Sequence, residues 1–184
     1  MSTPAACAAS LADLEALPDG VMGQIIDGDL IALPRPTLRH MRAATTLGAQ
    51  LSGSFEPGSG GPGGWLFLIE PELHLGADVV VPDIAGWRRE RLPETPDTPF
   101  LALAPDWVCE VLSPSSVSVD RVRKVRVYGR ERVGWYWLLD ASARTLEVLR
   151  LQDDGVFALD ATFGEGEPVR ARPFESVELS LWRI

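Results

Sequence analysis

Residues 107–112 read Trp-Val-Cys-Glu-Val-Leu, a short run that is apolar on both of its alternating faces. A strand of that kind belongs in the middle of a sheet covered on both sides. It therefore commits the chain to a layered architecture, with further elements packed over each face. It also makes Glu110 an anomaly, because period-two alternation sends its side chain inward between Val108 and Leu112.

The flanking sequence fills in the layers. Ser10 before Leu-Ala-Asp-Leu-Glu-Ala-Leu reads as an N-capped short helix. Gln-Ile-Ile-Asp-Gly-Asp-Leu-Ile-Ala-Leu (24–33) reads as a hairpin turning at Asp27-Gly28. From Thr37, the residues Leu38, Met41, Ala44, Leu47, Leu51 and Phe55 keep helical spacing, up to a glycine-rich connector at 56–64. Residues 65–75 and 78–87 read as two strands, and 88–104 as a polar loop with an apolar end. After the 107–112 strand, Ser-Pro-Ser-Ser supplies a turn with capping hydroxyls, and 117–134 read as a helix despite their valines. Strands follow at 135–140, 144–151 and 155–163, and the apolar 177–184 segment adds an edge or docks. The expected fold is mixed α/β (α+β): a mixed β-sheet flanked by helices, without repeats.

At 184 residues and 46% hydrophobic, the chain suits a single domain, here 19–184 after a leader and short helix at 1–18. No apolar run approaches the roughly 18–20 residues that cross a bilayer, and the N-terminus lacks the regions of a signal peptide. Cys7 and Cys109 suggest a reduced cytoplasmic protein, and the two Cys and two His show no zinc-ligand spacing. A net charge of −9 argues against nucleic-acid binding by bulk electrostatics. Arginines nevertheless cluster at 35, 39 and 42, at 88, 89 and 91, and at 121, 123, 126, 130 and 132. Solvated helix faces explain most of these, and a local basic face on an acidic body is the alternative. The 17 basic residues comprise sixteen arginines and one lysine, Lys124. Arginine is a wide, permanently charged fork, so a surviving lysine fits a site that wants a compact amine.

Pro-Asp occurs four times, and only Asp83 follows a β-branched run, Val79-Val80-Val81. Strand periodicity places Asp83 on the face of Val79 and Val81, a second inward carboxylate beside Glu110. Buried carboxylates take up protons unless relieved by a divalent cation, a cationic side chain or backbone donors. Mg²⁺ accepts hard oxygen ligands and often needs only one or two protein carboxylates. Lys124 supplies a cation on the next helix, where Asp120, Lys124 and Tyr128 share one face at i, i+4, i+8. Plainer readings exist for each: a turn cap for Asp83, and a structural ion pair of Glu110 with Arg123, Lys124 or Arg126. Asp120 suits the helix N-terminus, and Tyr128, Trp135, Tyr136 and Trp137 suit a core. His40 and His74 are isolated in sequence, with no claim to act as a base. Glu72, upstream of Asp83, offers a further oxygen ligand.

The succession Val-Val-Val-Pro-Asp, Cys-Glu-Val-Leu-Ser-Pro-Ser-Ser, Asp-x-x-x-Lys-x-x-x-Tyr and Val-Gly-Trp-Tyr-Trp-Leu-Leu-Asp resembles the Uma-two family of endonucleases. By fold that family belongs to the PD-(D/E)XK nuclease superfamily, with a restriction endonuclease-like core. The resemblance extends to the Ile-Ile-Asp-Gly-Asp-Leu hairpin and the helix carrying His40, and so covers the chain from about residue 20. It implies that Asp83 and Glu110 bind a divalent metal. The superfamily's usual lysine stands two residues after the glutamate, where this chain has Leu112; Lys124 matches a relocated position on the next helix.

Two functions are expected to compete. In the first, the chain is a metal-dependent DNA endonuclease in which Asp83 and Glu110 hold Mg²⁺ or Mn²⁺ beside a main-chain carbonyl. Lys124 then orients the attacking water or stabilises developing charge, and Asp120 and Tyr128 support it. Arg121, Arg123, Arg126, Arg88 and Arg89 would meet DNA phosphates. In the second, it is a catalytically silent binding or regulatory module on the same scaffold, a reading that the acidic charge favours. A serine hydrolase is poor, since no Gly-x-Ser-x-Gly elbow exists. The resemblance and an exposed tryptophan-rich end suggest a homodimer.

Overall fold

The computed structural model of the chain describes residues 8–56 and 61–182. Among them the strands form two sheets flanked by helices, the mixed α/β arrangement that the periodicities predict. Cys7, residues 57–60 of the glycine-rich connector and the last two residues lie outside the described residues.

Ser10 caps α1 (Leu11–Glu15) through a reciprocal capping box with Asp13. In the hairpin of β1 (Met22–Ile26) and β2 (Asp29–Leu33), Asp27 and Gly28 carry φ of 53° and 81°. Two consecutive positive-φ residues are what a type I′ turn requires. The stretch read as a leader is docked from Ala8 onward: the Ala9 amide bonds to the Gly28 carbonyl at 2.8 Å, and Leu14 and Leu17 cover Gly23.

The two long strand readings need correction. Residues 65–75 form β3 (Trp65–Ile69) and β4 (Leu73–Leu75), while 78–88 form β5 (Asp78–Val80) and β6 (Ile84–Arg88). β3 pairs with β6 in a six-stranded sheet, and β4 with β5 in a four-stranded one ordered β2-β1-β5-β4. Each chain segment thus changes sheets midway, at Pro71 and Pro82, whose missing amide hydrogens cannot continue a ladder. Asp83 therefore sits at a crossover rather than in a continuous strand, so alternation from Val79 does not set its direction.

β7 (Trp107–Val111) is buried at every residue, as expected for a central strand. It runs antiparallel to β6 and parallel to β8 (Trp135–Asp140), and β9 (Thr145–Leu151) and β10 (Phe157–Phe163) complete the order β10-β9-β8-β7-β6-β3. A parallel pair needs a crossover connection. The helix after Ser-Pro-Ser-Ser provides it: a π-helical segment, Val119–Lys124, runs into α3 (Val125–Arg130).

Trp107, Cys109 and Val111 join the core under α2 (Leu38–Phe55), and Val108 joins the opposite core with Val127, Tyr128 and Tyr136. Leu38 and Met41, expected on the buried stripe of α2, are 84% and 50% exposed. The buried stripe instead continues from Leu47 and Ala44 to His40, a position that an apolar pattern skips. Trp137 is fully buried and Trp135 and Trp182 are half-buried, so the tryptophan-rich end is not exposed. The closing segment docks through Leu179 and Leu181, and forms only an isolated bridge from Leu179 to Val169. No helix among the described residues is long and apolar enough to cross a membrane.

Candidate active site

Alternation within β7 fixes the first carboxylate. Glu110 faces the α3 side with Val108, and is only 2% exposed. Its two oxygens are separately bound: Lys124 Nζ donates to Oε2 at 2.9 Å and the Tyr128 hydroxyl to Oε1 at 2.7 Å. The expected common face of the helix is therefore real, although its first part is π-helical. Asp120 faces the same ammonium across 3.5 Å, and the Tyr136 hydroxyl ties the Asp120 carbonyl to β8 at 2.9 Å. Lys124 also donates to the Val81 carbonyl at 3.0 Å, which connects the helix to the β5–β6 crossover.

That crossover delivers the second carboxylate. Asp83 Oδ2 accepts the Val111 amide at 2.7 Å, and Oδ1 lies 2.7 Å from His40 Nε2. With Asp83 ionised, the imidazole is the donor. His40 is placed by the start of α2, where the Thr37 hydroxyl caps the helix by accepting the His40 amide at 3.3 Å.

Asp83, Glu110, Asp120, Lys124, His40 and Glu70 all line one cavity of about 190 Å³. Of the three kinds of relief expected for buried carboxylates, cationic side chains and a backbone donor are present. Burial works against the Lys124 ammonium, but Glu110, Asp120 and Asp83 outweigh it and its pKa is raised. Burial pushes the Glu110 carboxyl well above the usual range, Lys124 opposes this, and Asp120 and Asp83 add to it. Asp120 is pushed up by burial in the same way, again against Lys124. For His40, burial favours the neutral ring, yet Asp83, then Glu70 and Asp120, more than reverse this and raise its pKa. The Cys109 thiol is pushed well up by burial and is inert.

Other expectations fall outside this cluster. Glu72 does not line the cavity; it pairs with His74 at 2.7 Å. Glu70, two residues earlier and at φ 48°, lines it instead. Of the arginines expected to meet phosphate, Arg121 is held by Glu147 at 2.5 Å, and Arg123 by Asp29 at 2.9 Å and the Ile26 carbonyl at 2.6 Å. Arg88 lies over the Trp65 ring, and Arg89 bonds the Trp65 and Pro93 carbonyls. The guanidinium of Arg126 makes no hydrogen bond or ion pair among the described residues, and that of Arg88 has only its contact with the Trp65 ring. None of the five lines the cavity.

The residue that sequence reasoning passed over is His40. Its place one turn below Ala44 and Ala43 on the buried stripe is the signal that could have found it.

Among the described residues no three His, Cys, Asp or Glu side chains form a ready-made cation site. The donor chemistry nonetheless suits a hard cation. Four carboxylates, Glu70, Asp83, Glu110 and Asp120, line one cavity; the buried His40 Nδ1 has no hydrogen-bond partner, and the buried Asp120 Oδ1 has only its 3.5 Å ion pair with Lys124. A Mg²⁺ site needs no more than one or two carboxylates with water.

The family model for Uma2, described as "Putative restriction endonuclease", matches residues 11–181. The chain belongs to the Uma2 family. The crystal structure of "a putative nuclease belonging to DUF820" from Anabaena variabilis ATCC 29413 is similar, with a TM-score of 0.74 and 23% identity. The match covers 94% of this chain and 95% of that one, and at this identity it is a likeness of fold. No curated protein matches the chain. Within the Uma2 fold described above, the cavity lies where the β5–β6 crossover, the central strand and the π-helical segment meet.

Proposed function

We propose that this Uma2 protein hydrolyses phosphodiester bonds of DNA, with Asp83 and Glu110 holding Mg²⁺ or Mn²⁺ and Lys124 serving the reaction as a fixed cation. The observation that carries the reading is the convergence of Asp83, Glu110 and Lys124, from three separate elements, on one cavity. A bound Mg²⁺ or Mn²⁺ would supply Lewis acidity at a phosphoryl oxygen and a water of lowered pKa. Lys124 stays protonated among its carboxylates, so it is not the base; its compact charge suits stabilisation of the negative charge that develops on phosphorus oxygens. His40 holds Asp83 Oδ1, and the Val111 amide holds Oδ2, which fixes the carboxylate against the central strand. Tyr128 fixes Glu110 in the same manner. The PD-(D/E)XK assignment, with the lysine displaced to the helix, follows from the same reading.

A second reading has its own support. Every oxygen of Asp83 and Glu110 already has a partner, which is what a silent binding module with self-paired charges would have. Cleavage of plasmid DNA in Mg²⁺ or Mn²⁺ separates the two. Because these side chains are buried partners of one another, isosteric substitutions are the informative ones. The wild type is expected to nick plasmid, and Asp83→Asn or Glu110→Gln to lower the rate by about a hundredfold or more. No cleavage by the wild type favours the silent module, and undiminished cleavage by both variants overturns the roles given to Asp83 and Glu110.

A further inference from the structure

Three arginines collect where none of the expected phosphate contacts lie. Arg39 and Arg42, one turn apart on α2, and Arg144, in the turn between β8 and β9, line a second cavity of about 220 Å³ with Ala141. Arg144 pairs with Glu165, so the three guanidinium groups have one carboxylate among them. Arg39 and Arg42 make no hydrogen bond or ion pair among the described residues.

This arrangement is locally unfavourable. Like charges converge, and the first turn of α2, which contains no acidic residue, carries cations at the positive end of its helix dipole. A chain with net charge −9 has ample acids to neutralise such a cluster, as it does for Arg121, Arg123 and Arg130. Local rules broken without an internal compensation point to an external one. The turn that carries Arg144 is fixed: Asp140 Oδ1 accepts the amides of Ser142 and Ala143 at 2.9 and 2.8 Å, and Arg144 is held at φ 55°.

The cluster also neighbours the candidate active site. The cavity of Asp83 and Glu110 shares Ser113 and Pro114 with an intermediate cavity, which ends on Asp140 and Ser142, either side of Ala141. On the helix side, His40 of the first cavity stands between Arg39 and Arg42. The three cavities thus follow one another through shared or sequence-adjacent lining residues, from the carboxylates to the arginines.

We propose that Arg39, Arg42 and Arg144 bind a backbone phosphate of the DNA strand whose cleaved phosphate sits at Asp83 and Glu110. This rests on the hydrolase reading above, and it makes the substrate a polynucleotide long enough to reach both cavities. Arginine forks suit phosphate oxygens, and neutralising one phosphate releases condensed counterions.

The test compares the full-length wild type with the triple variant Arg39→Gln, Arg42→Gln, Arg144→Gln, all exposed positions. Fluorescence anisotropy measures binding of a labelled DNA duplex at several salt concentrations, and cleavage of the same duplex is followed in Mn²⁺. The variant is expected to bind about tenfold or more weakly, with the slope of log affinity against log salt reduced by about one. Its hydrolysis of bis(p-nitrophenyl) phosphate, too small to reach both cavities, should equal that of the wild type. Equal affinity and salt slope in the two proteins overturn the phosphate subsite alone. A wild type that binds DNA without cutting either substrate overturns the hydrolase reading and leaves the arginine contact standing. No DNA binding by the wild type, or binding of inorganic phosphate only, overturns the subsite.

Discussion

Glu110 shows how a single residue links core energetics to function. Its carboxyl is buried under α3, and its two oxygens share Lys124 and Tyr128 between them. A buried pair of this kind adds little net stability, but breaking it strands an uncompensated charge. Glu110→Ala should therefore cost about 3–5 kcal/mol in urea unfolding with a chelator present, since Lys124 would keep only Asp120 and the Val81 carbonyl. A loss below about 1 kcal/mol would contradict a charged pair at this position. His40 gives a pH dependence of definite sign. Asp83, Glu70 and Asp120 raise its pKa above the ordinary 6.5, so its protonated form is favoured by folding. The stability it contributes is complete below about pH 6.5 and is lost as pH rises through the higher folded value. The difference in unfolding free energy between wild type and His40→Asn, in chelator, should shrink along that path, and a difference that grows with pH would refute it. Glu110 and Lys124 were legible from the sequence because a charge in an apolar strand and a solitary lysine are each conspicuous. His40 was not, because its partner comes from a crossover 43 residues away that no local pattern announces.

At the scale of elements, the site depends on how three segments end. α2 begins at Thr37, whose hydroxyl caps the turn that carries His40. Thr37→Ala should lower stability by about 1 kcal/mol, measured by thermal or denaturant unfolding, and no change would show that the cap contributes nothing. The β5–β6 crossover ends one strand at Val80 and starts another at Ile84, and Asp83 occupies the gap. The hairpin, the central strand and the C-terminal strands were readable because turn residues and period-two runs are local signals. The division of residues 65–88 between two sheets was not readable, because each half alone satisfies the strand pattern. Pro71 and Pro82 were the available clues, and their lack of an amide hydrogen is the physical reason for the breaks. The π-helical segment was equally hidden: Asp120, Lys124 and Tyr128 meet as an α-helix would predict, while the backbone between takes wider turns that often accompany functional sites.

At the scale of the molecule, an acidic chain gathers three arginines, Arg39, Arg42 and Arg144, with one carboxylate among them. The total of −9 is a poor guide to that, since several arginines are held by internal partners while Arg39 and Arg42, without one among the described residues, stand beside His40 of the cavity. The central strand holds Glu110, the helix between β7 and β8 holds Lys124, and the crossover between the two sheets holds Asp83, which the Val111 amide ties to the central strand. The central claim is that Asp83 and Glu110 together hold a divalent cation next to Lys124. Anomalous diffraction from crystals grown with Mn²⁺ tests it directly. The account predicts one anomalous peak in contact with both carboxylates, close to Lys124 and absent from crystals of Asp83→Asn. Crystals with no peak in the cavity, and Lys124 still bonded to Glu110, would contradict it.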